Sequence, residues 1–215
     1  MEVTKDIAII GGVAAGFFAA INCKINFPNY NVTIYEKTAK LLSKVKVSGG
    51  GRCNVTNATY RNSELSKNYP RGEKQLKKAF NHFNAEDTVK WFESRGVKLV
   101  TQNDNCIFPE SQSSQTIIDC FMNECKQLGI EIFTKYKMTS MKRNDNGKLE
   151  LVFNDDIELD FDKVIVSIGG QPKQNNFDVF EKEHGIIRPV PSLFTFNMPE
   201  EPIKELMGVV VETAE

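Results

Sequence analysis

The chain has 215 residues, 40% hydrophobic and 26% charged, an ordinary globular composition that excludes a disordered or low-complexity protein. Its 27 Lys+Arg against 28 Asp+Glu leave a net charge of -1, so no global field draws it to nucleic acid or to an anionic membrane. No run of about 18 apolar residues would cross a bilayer, and the N-terminus lacks a secretory leader's pattern.

The five cysteines (Cys23, Cys53, Cys106, Cys120 and Cys125) form no Cys-x-x-Cys pair and no zinc-type spacing. They read as free thiols of a reducing compartment, so the expectation is a cytoplasmic protein with no metal site.

The first element is a short apolar run, DIAII at 6–10, ending in Gly11-Gly12 like a buried parallel strand. Residues 14–25 (AAGFFAAINCKI) repeat apolar side chains at helical spacing, and Pro28 closes the run. NVTIY at 31–35 is β-branched and ends at Glu36. Strand, glycine turn, helix and strand make one βαβ unit, with parallel pairing and a right-handed crossover.

Residues 37–72 lack periodicity and are rich in Gly, Asn, Ser and Lys; a connection that long in a compact domain is usually functional. Helices are predicted at 73–83 and 85–95, the second capped by Asn84 and stopped at Gly96, with a strand at 97–101. NCIFPESQSS (105–114) leads into a helix over 115–128, whose apolar face is Ile117, Ile118, Phe121, Cys125 and Leu128.

Strands at 137–143 and 148–153 flank the turn NDNG. A third at 157–161 completes a three-stranded meander over about 136–162. VIVSI (164–168) reads as another buried strand running into Gly169-Gly170, and PVPSLFTFNMP (189–199) as a strand leaving the domain.

Two stretches carry chemistry. The first is the turn GGVAAG (11–16), which matches G-x-G-x-x-G except for Val13 at the middle glycine. Gly11 allows the tight turn, Gly16 allows close packing of helix on strand, and the helix N-terminus offers N–H groups to a pyrophosphate. Glu36 lies 20 residues after Gly16, where a carboxylate accepts ribose hydroxyls. A dinucleotide site and a merely structural βα turn both account for this pattern. Lys37 after Glu36, in place of an Arg-rich pocket, points to a free 2′-hydroxyl and so to FAD or NAD rather than NADP.

The second is KVKVSGGGRCNVTN (44–57), in which three glycines surrender backbone order just before Arg52, Cys53 and Asn54. Glycines there admit a planar ring to main-chain N–H groups, and Arg52 presents a fixed fork of donors to a phosphate or a flavin carbonyl.

The order of βαβ unit, helices, meander and apolar strand ending in Gly-Gly resembles flavoproteins of the glutathione-reductase type. Together, GGVAAG, KVKVSGGGRCNVTN, IFPES (107–111), VIVSIGG and PSLF (191–194) resemble a bacterial family of NAD(P)/FAD-dependent oxidoreductases that includes dehydro-bile-acid reductases and aminoacetone oxidases. The resemblance implies an α/β fold: a Rossmann-like FAD-binding domain over 1–190, with a parallel sheet and an inserted antiparallel β-meander. It further implies that 191–215 begin a second, β-rich substrate domain, cut short at Glu215, since relatives continue well past this point.

By the same resemblance Gly11, Ala15 and Gly16 hold the FAD pyrophosphate, and Glu36 with Lys37 beside it takes the adenosine ribose. Lys44 and the loop residues Ser48, Gly49, Gly50, Gly51, Arg52 and Asn54 face the flavin. Met138 contacts adenine through its backbone, and Gly169 and Gly170 close over the phosphates.

The implied activity is hydride transfer through flavin to or from a small-molecule substrate, with NAD(P)H a candidate electron donor. A truncated or degenerate nucleotide-binding module is the alternative. Reductase and oxidase stay equally open, and no general base stands out, since His82 reads as a surface residue and His184 as a helix-end residue. Cys53, without a second cysteine nearby, reads as a packing or loop-fixing residue, and the basic stretch 67–78 as a solvated face.

Overall fold

A computed structural model describes residues 4–170, together with Gly185, Pro202 and Glu205. The strand predicted after Pro189, His184 and the domain boundary at 190 lie outside the described residues. The unit Met1–Gly170 is built on the βαβ motif of its first residues. Strand β1 (Asp6–Ile10) leads into helix α1 (Ala14–Asn26) and strand β2 (Asn31–Glu36), and the two strands pair in parallel from Asp6↔Asn31 to Ile10↔Tyr35.

The connection after β2 holds short pieces: α2 (Ser43–Val47), β3 (Thr56–Asn57) and α3 (Asn62–Leu65). Then come α4 (Glu73–Ala79), α5 (Ala85–Glu93), β4 (Leu99–Thr101), β5 (Cys106–Pro109) and α6 (Ser114–Gln127). Strand β6 (Glu131–Thr134) precedes the meander β7 (Met138–Arg143), β8 (Leu149–Phe153) and β9 (Ile157–Phe161), and β10 (Lys163–Val166) is the last strand among the described residues. The main sheet is parallel with order β10-β1-β2-β6; β3-β5-β4 and β7-β8-β9 are separate antiparallel sheets.

The core lies on both faces of the main sheet because side chains alternate along each strand. Ile7, Ile9, Val32 and Ile34 face α1, α5 and α6, where Phe17, Trp91, Phe92 and Phe121 pack ring against ring. Ala8, Ile10 and Tyr35 face the meander and pack on Leu151, Phe153 and Phe161. Phe17 and Phe153 are wholly buried, each contributing on the order of 1.5–3 kcal/mol. The face predicted for α6 holds: Ile117, Phe121 and Cys125 are buried, and Ile118 and Leu128 pack against them. Asn84 caps α5 through a capping box with Asp87, and Gly96 takes φ +79 just past its end.

Three expectations need correction. Helix α4 stops at Ala79 rather than at 83; none of its residues is buried, so little core packing extends it. Strand β5 was masked by the turn-like letters around CIFP, yet it is the centre of the small sheet. The last strand is shorter than 164–168 and is not buried: among the described residues β10 is a sheet edge, with Ile165 and Val166 about two-fifths exposed. Among the described residues, no helix is long and apolar enough to cross a membrane.

Candidate functional site

The C-terminal ends of β1, β2 and β10 meet the start of α1. Gly11, at φ +114, donates its N–H to the Tyr35 carbonyl at 2.8 Å, crossing from β1 to β2. A Cβ on Gly11 would strike the Ser167 carbonyl, and one on Gly16 would strike the Gly11 carbonyl and lie 2.7 Å from Ser167 Oγ. Ser167 closes the crossing from the other side, its N–H on the Ile10 carbonyl at 2.8 Å and its hydroxyl on that of Gly11 at 3.2 Å.

Val13 takes φ -106 and ψ 172, extended backbone open to any residue, so valine at the middle position carries no conformational cost. It supplies no side-chain cap, and the first turn of α1 has no acidic residue. The N-terminal N–H groups of a 13-residue helix are therefore left to an anion, with exposed Ala15 on that turn.

Glu36 is 8% exposed and well held. Its Oε2 accepts the Gly12 N–H at 2.9 Å, and its Oε1 accepts both the N–H and the hydroxyl of Thr38 at 2.9 Å each. Lys37 points to solvent. The Glu36 carbonyl accepts the Tyr136 N–H at 2.9 Å, which fixes the entry to the meander beside the carboxylate. Met138, two residues on, opens β7 opposite Phe153 and packs into the meander core.

The Gly12 carbonyl accepts the Leu42 N–H at 2.8 Å, and buried Leu42, left-handed at φ 52, starts α2 from there. Ser114 Oγ holds the far end of α2 through the Lys46 carbonyl at 2.9 Å. Lys44 thereby reaches the Gly169–Gly170 turn, its Nζ 3.4 Å from the Gly170 carbonyl. Three sequence-predicted residues from distant parts of the chain come together there.

The loop after α2 holds Gly49, Gly50 and Gly51 at φ +54, +66 and +86, with Cys53 also left-handed at φ 63. A Cβ on Gly49 would sit 2.8 Å from the Asn54 nitrogen and 2.9 Å from the Phe108 ring. Among the described residues, a Cβ on Gly50 would have no non-neighbouring atom within 4 Å, and one on Gly51 would have the Lys46 carbonyl at 4.0 Å. Ser48 bonds back to the Val45 carbonyl at 2.9 Å, and Asn54 is exposed.

Arg52 is turned inward more than its sequence suggests. Its Nε donates to the Gly49 carbonyl and its Nη1 to Gln112 Oε1, both at 3.3 Å, and its guanidinium lies 4.2 Å from the Phe108 ring centroid. Among the described residues these bonds take two of its five N–H donors and leave three. Cys53 is buried and burial pushes its thiol pKa up, which fits a packing role and not a thiolate.

Sequence reasoning missed Gly12, Thr38, Leu42, Phe108 and Gln112. A short polar residue two places after Glu36 was the available signal for Thr38; a leucine in a left-handed turn leaves none.

The HI0933-like protein Rossmann domain matches residues 5–175. The chain is 25% identical over 169 residues to a 3-dehydro-bile acid delta(4,6)-reductase of Clostridium scindens, covering 79% of this chain and 40% of that protein. It is 24% identical over 148 residues to a ribosomal RNA dihydrouridine synthase of Haemophilus influenzae, covering 69% and 35%. The chain thus spans two-fifths or less of these curated relatives.

Among solved structures, the quinol fumarate reductase FrdA of E. coli superposes with a TM-score of 0.56 at 14% identity, over 78% of this chain and 33% of that one. THI4 of Thermovibrio ammonificans does so at 0.52 and 12% identity, over 86% and 64%. These two share the fold. The extent of the domain match decides the rest: the chain belongs to the HI0933-like protein Rossmann-domain family.

Proposed function

We propose that this chain binds FAD across the C-terminal ends of β1, β2 and β10 and forms the cofactor domain of a flavoprotein reductase. The observation that carries the reading is the pair of open left-handed glycines, Gly50 and Gly51, on the loop that α2 ties to Gly12. The uncapped N-terminus of α1 would take the pyrophosphate, Glu36 the ribose, and Lys44 with Gly169 and Gly170 the phosphates from above. Gly50 and Gly51 would let a planar ring lie on the backbone, with Arg52 and Asn54 at its edge. When bound, FAD supplies hydride chemistry that no side chain offers.

The chain's own part is to orient the ring, to supply donors to its carbonyl edge and to leave its open side to substrate. Arg52 is held for this by Phe108 and Gln112. The names of the two relatives, a delta(4,6)-reductase and a dihydrouridine synthase, both describe saturation of a carbon–carbon double bond. Reduction of such a bond, with NAD(P)H as electron donor, is therefore the reaction we put first.

Purified chain titrated into FAD should quench flavin fluorescence with a one-to-one endpoint and carry bound, yellow flavin through gel filtration. A chain that stays colourless and leaves the fluorescence unchanged overturns the reading.

A further inference from the structure

An ionised carboxylate has about four lone-pair directions. Glu36 uses three within the chain: Oε2 for the Gly12 N–H, and Oε1 for both the N–H and the hydroxyl of Thr38. Among the described residues one direction, on Oε2, is left. Thr38 is itself fixed from three sides. Its hydroxyl accepts the Lys40 N–H at 3.2 Å, its carbonyl accepts the Lys135 N–H at 3.1 Å, and its backbone follows the end of β2. The hydroxyl has one proton and two acceptors in reach, Glu36 Oε1 at 2.9 Å and the Lys40 carbonyl at 3.1 Å.

The same pairing of N–H and hydroxyl closes the turn at Asn57, where Thr59 donates both to Oδ1. At Glu36 it falls on a carboxylate whose other oxygen holds the Gly12 N–H at the start of α1. We propose that Thr38 is a positioning residue of the nucleotide site: it saturates Glu36 Oε1, fixes the carboxylate plane, and so presents Oε2 to a ribose hydroxyl. The proposal rests on the nucleotide reading above. Its consequence is selective: Thr38 matters for ligands that carry the ribose diol and is silent for those that lack it.

The test is competition against FAD fluorescence quenching with two probes, ADP and 2′,3′-dideoxy-ADP. For Thr38→Val the expected result is ADP binding weakened about tenfold, as for loss of a hydrogen bond to a charged group. Dideoxy-ADP should change by less than about twofold. Thr38→Ser should restore the wild-type ratio, and Thr38→Ala, with less bulk to misplace, should repeat the valine pattern. Equal weakening of both probes in the valine and alanine variants, or no weakening of ADP, overturns the proposal. Wild-type chain that does not bind FAD at all overturns the functional reading, and the role of Thr38 with it.

Discussion

At the first turn, Gly11 and Gly16 are glycines because there is no room: a Cβ on either would meet backbone carbonyls of β1 or of the segment after β10. In the loop after α2, Gly50 and Gly51 are glycines although room is ample, because the backbone there runs left-handed. Crowded glycines are demanded by the packing of a βαβ unit and would be needed whatever it bound. Left-handed backbone is itself a reason for glycine, and Gly96, Gly129 and Gly147 show it at ordinary open turns; Gly50 and Gly51 differ in following one another directly before Arg52 and Asn54. It is that succession, and not openness alone, that accords with a ligand. Gly49 belongs to both, with φ +54 and close contacts to Asn54 and Phe108, and it marks where the loop stops being scaffold.

Substitution should separate the two kinds. Gly16→Ala drives a methyl into the Gly11 carbonyl, which is fixed backbone, and against Ser167 Oγ, which is hydrogen-bonded to the Ile10 and Gly11 carbonyls. The expected loss is about 3 kcal/mol or more in urea denaturation, with misfolding as its extreme. A loss below about 1 kcal/mol would show that the crossing can relax. Gly50→Ala meets no atom of the described residues and should cost only the left-handed penalty, about 1–2 kcal/mol. Its main effect should fall on FAD affinity, about tenfold, because the methyl projects where the ring would lie. Unchanged FAD affinity in the folded Gly50→Ala chain would make the loop scaffold after all.

The first of these turns was legible in the sequence and the second only partly. Apolar runs at 6–10 and 31–35 with a helical pattern between them leave one sensible arrangement, and β1, α1 and β2 adopt it. The meander was legible for the same reason, since NDNG joins two alternating strands. Strands β3 and β5 were not, because their partner lies about fifty residues away in sequence and Pro109 reads as a breaker rather than a strand end. The GGGRCN stretch announced that something unusual happens, yet not that Arg52 would turn inward onto Phe108. Leu42 shows the limit: a buried leucine in a left-handed turn is chosen by tertiary contacts that no local pattern carries.

The smallest expected effect reads the same contrast through thiols. Cys53 sits in the loop and Cys125 in α6, both buried, and burial raises both pKa values, Cys125 to about 12. Cys120 is pushed to about 11 and Tyr35 to about 12 for the same reason. In each case the folded pKa lies above the unfolded one, so the neutral group is favoured by folding. The stability involved is fully present below the usual thiol value of 9.0 and drains away between there and about pH 12. Below that window labelling by a thiol reagent reports opening, not ionisation. The loop, whose three glycines bury nothing, should open locally, whereas Cys125 needs α6 to leave the core. Cys53 should therefore label several-fold faster than Cys125 in folded chain, and bound FAD should slow Cys53 alone. Equal rates at the two sites would mean that loop and core open together, and the division between scaffold glycines and ligand glycines would lose its physical basis.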